Sequence, residues 1–200
     1  MKRTWLGHST FLITNEAGGR LVTDPVDEKS LPELLHVHAD VITVSHRHFD
    51  HCATERVGGT PVVKESAAPE TLAGFSIRGF HTFHDEVRGA KRGPNTIFTF
   101  EADGQRFVHC GDLGHMPDEE TLAAIRGCDV LMIPVGGIFT VDGKAAWEIA
   151  KRVEPKTVVP MHFATHDLGF SLEPLSHFLD AAKADPAPIV IDMPTRNCEE

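Results

Sequence analysis

The sequence predicts an α/β (α+β) protein in which a sandwich of sheets is covered by helices. Short apolar, β-branched runs separated by polar turns fill the first half of the chain. Later runs of the same kind alternate with segments of helical periodicity, so strands dominate early and helices late. With 41% hydrophobic residues over 200 positions, the chain can bury one substantial core but not two ordinary ones. Residues 1–200 are therefore read as one domain.

In chain order, strands are predicted at 11–14, 21–23, 41–44, 61–63, 97–100 and 107–108, then at 130–133, 157–159 and 189–191. Ala146, Ile149, Ala150 and Val153 share one face of a helix, and Leu175, Phe178, Leu179 and Ala182 share one face of another. Asp142 and Ser171 are placed to cap these two helices, and Asp118 to cap a shorter one carrying Leu122 and Ile125. Glycine- and proline-rich pieces such as 58–61 are short enough to be turns, and no repeat or linker is visible.

Charge narrows the partners. Nineteen basic against 29 acidic residues give a formal charge of −10, which repels phosphate backbones and disfavours nucleic acid. No window approaches the roughly 20 apolar residues of a membrane span, so a cytoplasmic protein with no membrane partner is expected. Cys52, Cys110, Cys128 and Cys198 form neither a C-x-x-C pair nor a dense framework, and are read as reduced thiols.

Thirteen histidines are the compositional oddity. The decisive cluster is Ser45-His46-Arg47-His48-Phe49-Asp50-His51, directly after the predicted strand at 41–44. In an extended segment His46 and His48 face the same way, and Asp50 and His51 follow within reach of a neighbouring position. A polar surface loop would account for any one of these histidines. It accounts poorly for the whole string, since clustered imidazoles and a carboxylate repel or desolvate one another unless a cation joins them.

The string resembles the signature of the metallo-β-lactamase superfamily. Further segments resemble the branch containing ascorbate-6-phosphate lactonases and the phospholipase D that cleaves N-acyl-phosphatidylethanolamine. These are Trp5-Leu6-Gly7-His8-Ser9-Thr10, Thr23-Asp24-Pro25, His84-Asp85, Gly93-Pro94-Asn95-Thr96-Ile97-Phe98, His109-Cys110-Gly111-Asp112-Leu113-Gly114-His115, Ile133-Pro134-Val135-Gly136-Gly137 and Pro160-Met161-His162-Phe163. The resemblance spans nearly the whole chain and implies an αββα four-layer sandwich with metals at the end of the two sheets.

The resemblance further implies that His46, His48 and His84 hold a first metal, Asp50, His51 and His162 a second, and that Asp112 bridges them. His84 is taken over His81 because the family places an aspartate beside the ligand, as Asp85 is here; His81 is then a packed histidine or one that supports a ligand. His8, His109 and His115 fall in segments expected near the site and are candidates to orient a ligand or touch substrate. His36, His38, His166 and His177 are read as ordinary histidines, Cys52 as a small packed residue pointing away from the metals, and Gly136-Gly137 as a turn.

The implied function is a hydrolase in which hydroxide held by two metals attacks a small ester, lactone or phosphoester. Asp50 and Asp112 are the catalytic carboxylates, Asp50 or a nearby histidine managing protons. The cofactors are two divalent ions, Zn²⁺ first, with Mn²⁺, Fe²⁺ or Ni²⁺ also compatible with such ligands. The partner is a small molecule, its only visible anion clamp being Arg88, Lys91 and Arg92, and a homo-oligomer stays open. The alternatives are a metal-dependent phosphodiesterase or nuclease, and a non-catalytic metal-binding module.

Overall fold

The computed structural model describes residues 1–31, 37–166 and 168–195. Its strands form two sheets. The first holds β1 (Lys2–Gly7), β2 (Thr10–Thr14), β3 (Arg20–Thr23), β4 (Val41–Thr43) and β5 (Val62–Lys64), side by side in that order. The second runs β12 (Val190–Ile191), β11 (Thr157–Met161), β10 (Val130–Pro134), β9 (Gln105–His109), β8 (Pro94–Ala102), β7 (Phe75–Phe83) and β6 (Glu70–Leu72). Each sheet is antiparallel on the side of its hairpins and parallel on the side of its crossovers, as β1–β2–β3 against β3–β4–β5 illustrates.

Alternation along the strands separates the layers. Leu21 and Val41 of the first sheet enter the main core with Phe75, Ile77, Phe98 and Phe100 of the second, whereas Val22 and Ile42 face a smaller cluster with Val26, Leu31 and Val57. Among the described residues that outer side is covered by segments 24–31 and 37–39 and the 3-10 turn Thr54–Arg56. The other outer layer is helical: α1 (Glu119–Ile125), α2 (Gly143–Val153) and α3 (Ser176–Ala184), with α2 against β10 and α3 against α2. Strand β10, between these helices and the main core, is buried at every position.

The helix starts follow local chemistry. Asp118 accepts a hydrogen bond from the Thr121 amide and Asp142 from that of Ala145, both at 2.8 Å, as predicted. Ser171 does not cap the last helix, which begins at Ser176 with Leu175 at the N-cap position and no side-chain cap. The reason is tertiary: Glu173 spends its backbone on Gly136 and Ala164, which holds residues 171–174 out of helical geometry.

Three strands escaped the sequence reading: β1, β6 and the nine-residue β7. The last pairs with β8 over eight registered positions, from Ser76–Glu101 to Phe83–Pro94. It also sets where His84 emerges, one residue past its end.

Candidate metal centre

Each predicted ligand, and with them His8, a candidate to orient a ligand, follows the C-terminal end of a strand. His8 follows β1, His46 to His51 follow β4, His84 follows β7, Asp112 follows β9 and His162 follows β11. Two groups face the centre and a third lies behind them. His46, His48 and His84 converge in one, His8, Asp50, His51 and His162 in the second, and Asp24 joins His46 and His51 in the third, with ligand atoms in each group within 4.8 Å of one another. Asp112 stands between the first two: Oδ2 is 3.0 Å from His84 Nε2, 3.1 Å from His162 Nε2 and 3.7 Å from His46 Nε2, and Oδ1 is 3.2 Å from His51 Nε2.

Backbone geometry at these positions is special. His8 (φ 51°) and His162 (φ 52°) adopt left-handed conformations, each costing about 1–3 kcal/mol unless neighbours enforce it. For His8 the enforcement is a two-residue hairpin turn between β1 and β2, with the Trp5 indole donating to the His8 carbonyl at 2.9 Å. Gly111, at φ 54°, lets the loop carrying Asp112 press on Asn95 and Ser45; a Cβ there would stand 2.3 Å from Asn95 Oδ1. Asn95 in turn accepts the Asp112 amide at 3.0 Å and donates to Thr82 and to the Cys110 carbonyl.

The sequence reading assigned no role to Asp24, which the structure places behind both groups. Its carboxylate accepts Nδ1–H of His51 at 2.9 Å and the Ser45 hydroxyl at 2.5 Å, and Ser45 Oγ is in turn 2.9 Å from His46 Nδ1. His84 Nδ1 reaches the Phe139 carbonyl at 3.1 Å. In all three rings Nδ1 is engaged outward and Nε2 is left facing the centre, the arrangement that prepares an imidazole to ligate a metal. The signals available were an aspartate before Pro25 at a strand end, which alone is equally a turn residue, and the place of Thr23-Asp24-Pro25 among the segments of the family resemblance.

The candidates of uncertain role separate as follows. His8 Nε2 is 3.2 Å from Asp50 Oδ2, and its ring centroid is 4.2 Å from that of His162. His109 is fully buried between the Ser9 carbonyl, to which Nε2 donates, and the Gly111 amide, which Nδ1 accepts, so it braces the Asp112 loop. His115 accepts the Phe83 amide at 3.2 Å and so steadies the strand end before His84. His81 is exposed and belongs to neither group. Cys52 packs at the edge of the smaller apolar cluster, and the Gly137 amide is spent on the Val141 carbonyl within a turn. His36 and Cys198 lie outside the described residues.

Burial and close charges set the protonation of the centre. Burial and the nearby His51 push His46 down to about 3; burial and His162 push His8 down to about 4. Burial opposes charge on His51 as well, but the Asp112 and Asp50 carboxylates outweigh it and raise its pKa. For Asp112 the neighbouring imidazoles of His162 and His51 overcome burial and lower it. His46 Nε2, His51 Nε2 and Asp112 Oδ1 are nonetheless buried without hydrogen-bond partners. Buried polar atoms left without partners in this way are costly. Their convergence on one space fits a bound cation, so the residues present suit the metals the sequence implied.

The centre opens into a pocket of about 320 Å³ lined by Phe49, Phe139, Phe170 and Arg92, with Asp112 and His162 in its wall. A family model for the β-lactamase superfamily domain matches residues 2–162, a stretch that includes every candidate ligand. The chain belongs to the metallo-β-lactamase superfamily. Within that superfamily it is 33% identical over 190 residues to a UPF0173 metal-dependent hydrolase of Methanoculleus marisnigri, covering 82% of each chain. It is 29% identical over 201 residues to another from Carboxydothermus hydrogenoformans, covering 82% of this chain and 85% of that one. A proposed zinc-dependent hydrolase of the superfamily from Thermotoga maritima superposes with a TM-score of 0.77 at 34% identity, over 96% of this chain and 97% of that one. The metallo hydrolase Igni18 of Ignicoccus hospitalis shares the fold at 21% identity and a TM-score of 0.71, over 97% and 95%. This metallo-β-lactamase-fold protein is accordingly a metal-dependent hydrolase, and no helix among its described residues is long and apolar enough to cross a membrane.

Proposed function

We propose that this hydrolase uses two divalent metal ions, zinc first among them, to cleave a small carboxylic ester, lactone or phosphoester. The observation that carries the reading is the position of Asp112, whose two oxygens reach imidazoles of both ligand groups within 3.7 Å. His46, His48 and His84 would hold one ion and Asp50, His51 and His162 the other, with Asp112 shared. Bound there, the metals would lower the pKa of a water toward neutrality and polarise the scissile group.

The rest falls to the chain's own residues. Asp50, which neighbouring His51 and the hydrogen bond from His8 hold ionised against the opposing effect of burial, accepts the proton of the attacking water and returns it to the leaving oxygen. His8 keeps that carboxylate oriented. Asp24 and Ser45 fix the tautomers of His51 and His46, so that both present Nε2 to the centre. The pocket beside Asp112 and His162 admits a molecule the size of a metabolite and excludes most water when filled.

A net charge of −10 weighs against nucleic acid as substrate, and a set of imidazoles and carboxylates divided between two groups weighs against a closed structural site. The test is turnover of a panel of carboxylic esters, lactones and phosphomonoesters by protein reconstituted with Zn²⁺, Mn²⁺, Fe²⁺ or Ni²⁺. Hydrolysis of at least one small substrate, abolished by chelator and restored by the ion, is expected. Turnover that survives complete metal removal, or turnover of nucleic acid alone, would overturn it.

A further inference from the structure

The pocket mouth is apolar to a degree that an exposed surface does not require. Phe49 is 63% exposed, Ile138 53% and Phe139 38%, all in loops that frame the centre. Phe49 and Phe139 each stand edge-on to Phe170, with ring centroids 6.2 Å apart in both pairs and interplanar angles of 78° and 70°. Phe170 itself lies over His8 and His162, at 5.6 and 6.5 Å. Three rings thus form a rim that runs from solvent down to the ligand groups. An edge-to-face contact covers one face of one ring only, and Phe49 and Phe139 stay exposed, so aromatic surface remains for another ring or a compact apolar group.

On the same rim sits one cation. Of Arg88, Lys91 and Arg92, only Arg92 lines the pocket; Lys91 is paired with Glu86. The Arg92 guanidinium lies 5.6 Å from the centre of the Phe139 ring and donates to the Ile138 carbonyl at 3.2 Å. It has no ion-pair partner among the described residues. Its backbone is fixed from below, because the Arg92 amide donates to the Asp85 carboxylate at 2.8 Å, next to His84. A half-buried guanidinium held by a ring face and one carbonyl keeps several donors for a planar or tetrahedral oxyanion.

The volume limits the rest. About 320 Å³ lies at the small end of the roughly 300–1,000 Å³ of small-molecule sites, which suits a substituted ring better than a long acyl chain. We propose that this site takes a compact substrate bearing an aromatic or branched apolar group, packed among Phe49, Phe139 and Phe170, and one anionic group, carboxylate or phosphate, paired with Arg92. The proposal rests on the hydrolase reading above and narrows it. The reaction itself stays a hydrolysis: one water is consumed, the acyl–oxygen or phosphorus–oxygen bond breaks, and an acid and an alcohol leave, joined in one hydroxy acid where the substrate is a lactone.

Equilibrium binding tests it without turnover. Phenylacetate, phenylacetamide, acetate and the non-hydrolysable phenylphosphonate are titrated calorimetrically into metal-loaded protein, and into its Arg92→Gln and Phe49→Ala variants checked for folding by circular dichroism. Phenylacetate or phenylphosphonate should bind about tenfold or more tighter than either phenylacetamide or acetate, the better of the two identifying the anion. Arg92→Gln should erase the preference for the anion over the amide, and Phe49→Ala should weaken all aromatic probes while leaving acetate unchanged. Acetate binding as tightly as phenylacetate would overturn the proposal. So would an anion preference that persists in Arg92→Gln, since the metals and not the guanidinium would then read the charge. Probes that bind as expected to a protein that hydrolyses nothing would sink the proposed reaction and leave the binding assignment standing.

Discussion

The Asp24 carboxylate accepts Nδ1–H of His51 at 2.9 Å and, through the Ser45 hydroxyl, reaches Nδ1 of His46. One buried acid therefore fixes an imidazole in each ligand group. Asp24→Asn would place an amide N–H against one of these donors and allow His51 to flip its tautomer, turning Nε2–H toward the centre. The expected result is a loss of metal affinity of about 10–100-fold with the fold retained. Competition with a chromogenic chelator measures it, and unchanged affinity would remove Asp24 from the account.

His84 and His81 separate in the same way. His84 joins His46 and His48 and lies 3.0 Å from Asp112, whereas His81 is exposed on β7, paired in register with Thr96. His84→Ala should therefore lose metal from the first group steeply, and His81→Ala should lower affinity by less than about tenfold. Elemental analysis after dialysis, with circular dichroism as the folding control, distinguishes them; loss of metal from His81→Ala alone would reverse the assignment.

These relationships were legible in the sequence to different depths. The strands at 21–23, 41–44, 107–108 and 130–133 are continuous apolar runs, and they were found. In β7 the inward Phe75, Ile77 and Gly79 alternate with Ser76 and Arg78, and Gly79 breaks the pattern because Ala67 and Thr96 crowd the place of its missing Cβ. At the edge of its sheet β1 opens with Lys2 and Arg3, so charge masks it. Within the site, the H-x-H-x-D-H string is local and was read directly. The support from Asp24, Asn95 and His109 depends on contacts of His51, Asp112 and Ser9 across 17 to 100 positions, for which no local spacing exists. The aromatic rim was equally out of reach, because Phe49, Phe139 and Phe170 meet only through three separate loops.

Asp85 predicts a pH effect on stability. Its carboxylate accepts the backbone amides of Val87, Gly89, Lys91 and Arg92 at 2.8–2.9 Å, which outweighs burial and holds its pKa at about 2. The folded value lies below the unfolded one of about 3.9, so the stabilisation is fully present above that pH and is lost as pH falls through about 2. Asp85→Asn should lower the urea midpoint at pH 7, and the gap from wild type should narrow as pH falls below about 4. A gap independent of pH would assign the effect to shape and not to charge.

Metal stoichiometry tests the central claim most directly. Protein purified without chelator is analysed for transition metals beside Asp112→Ala and Asp103→Ala; Asp103 pairs with the chain's amino terminus and touches neither ligand group. Wild type and Asp103→Ala should each hold about two ions per chain, and Asp112→Ala should lose metal from both groups, since one carboxylate faces both. A wild-type chain that binds no more than one ion under saturating metal, or an Asp112→Ala chain that keeps two, would contradict the account.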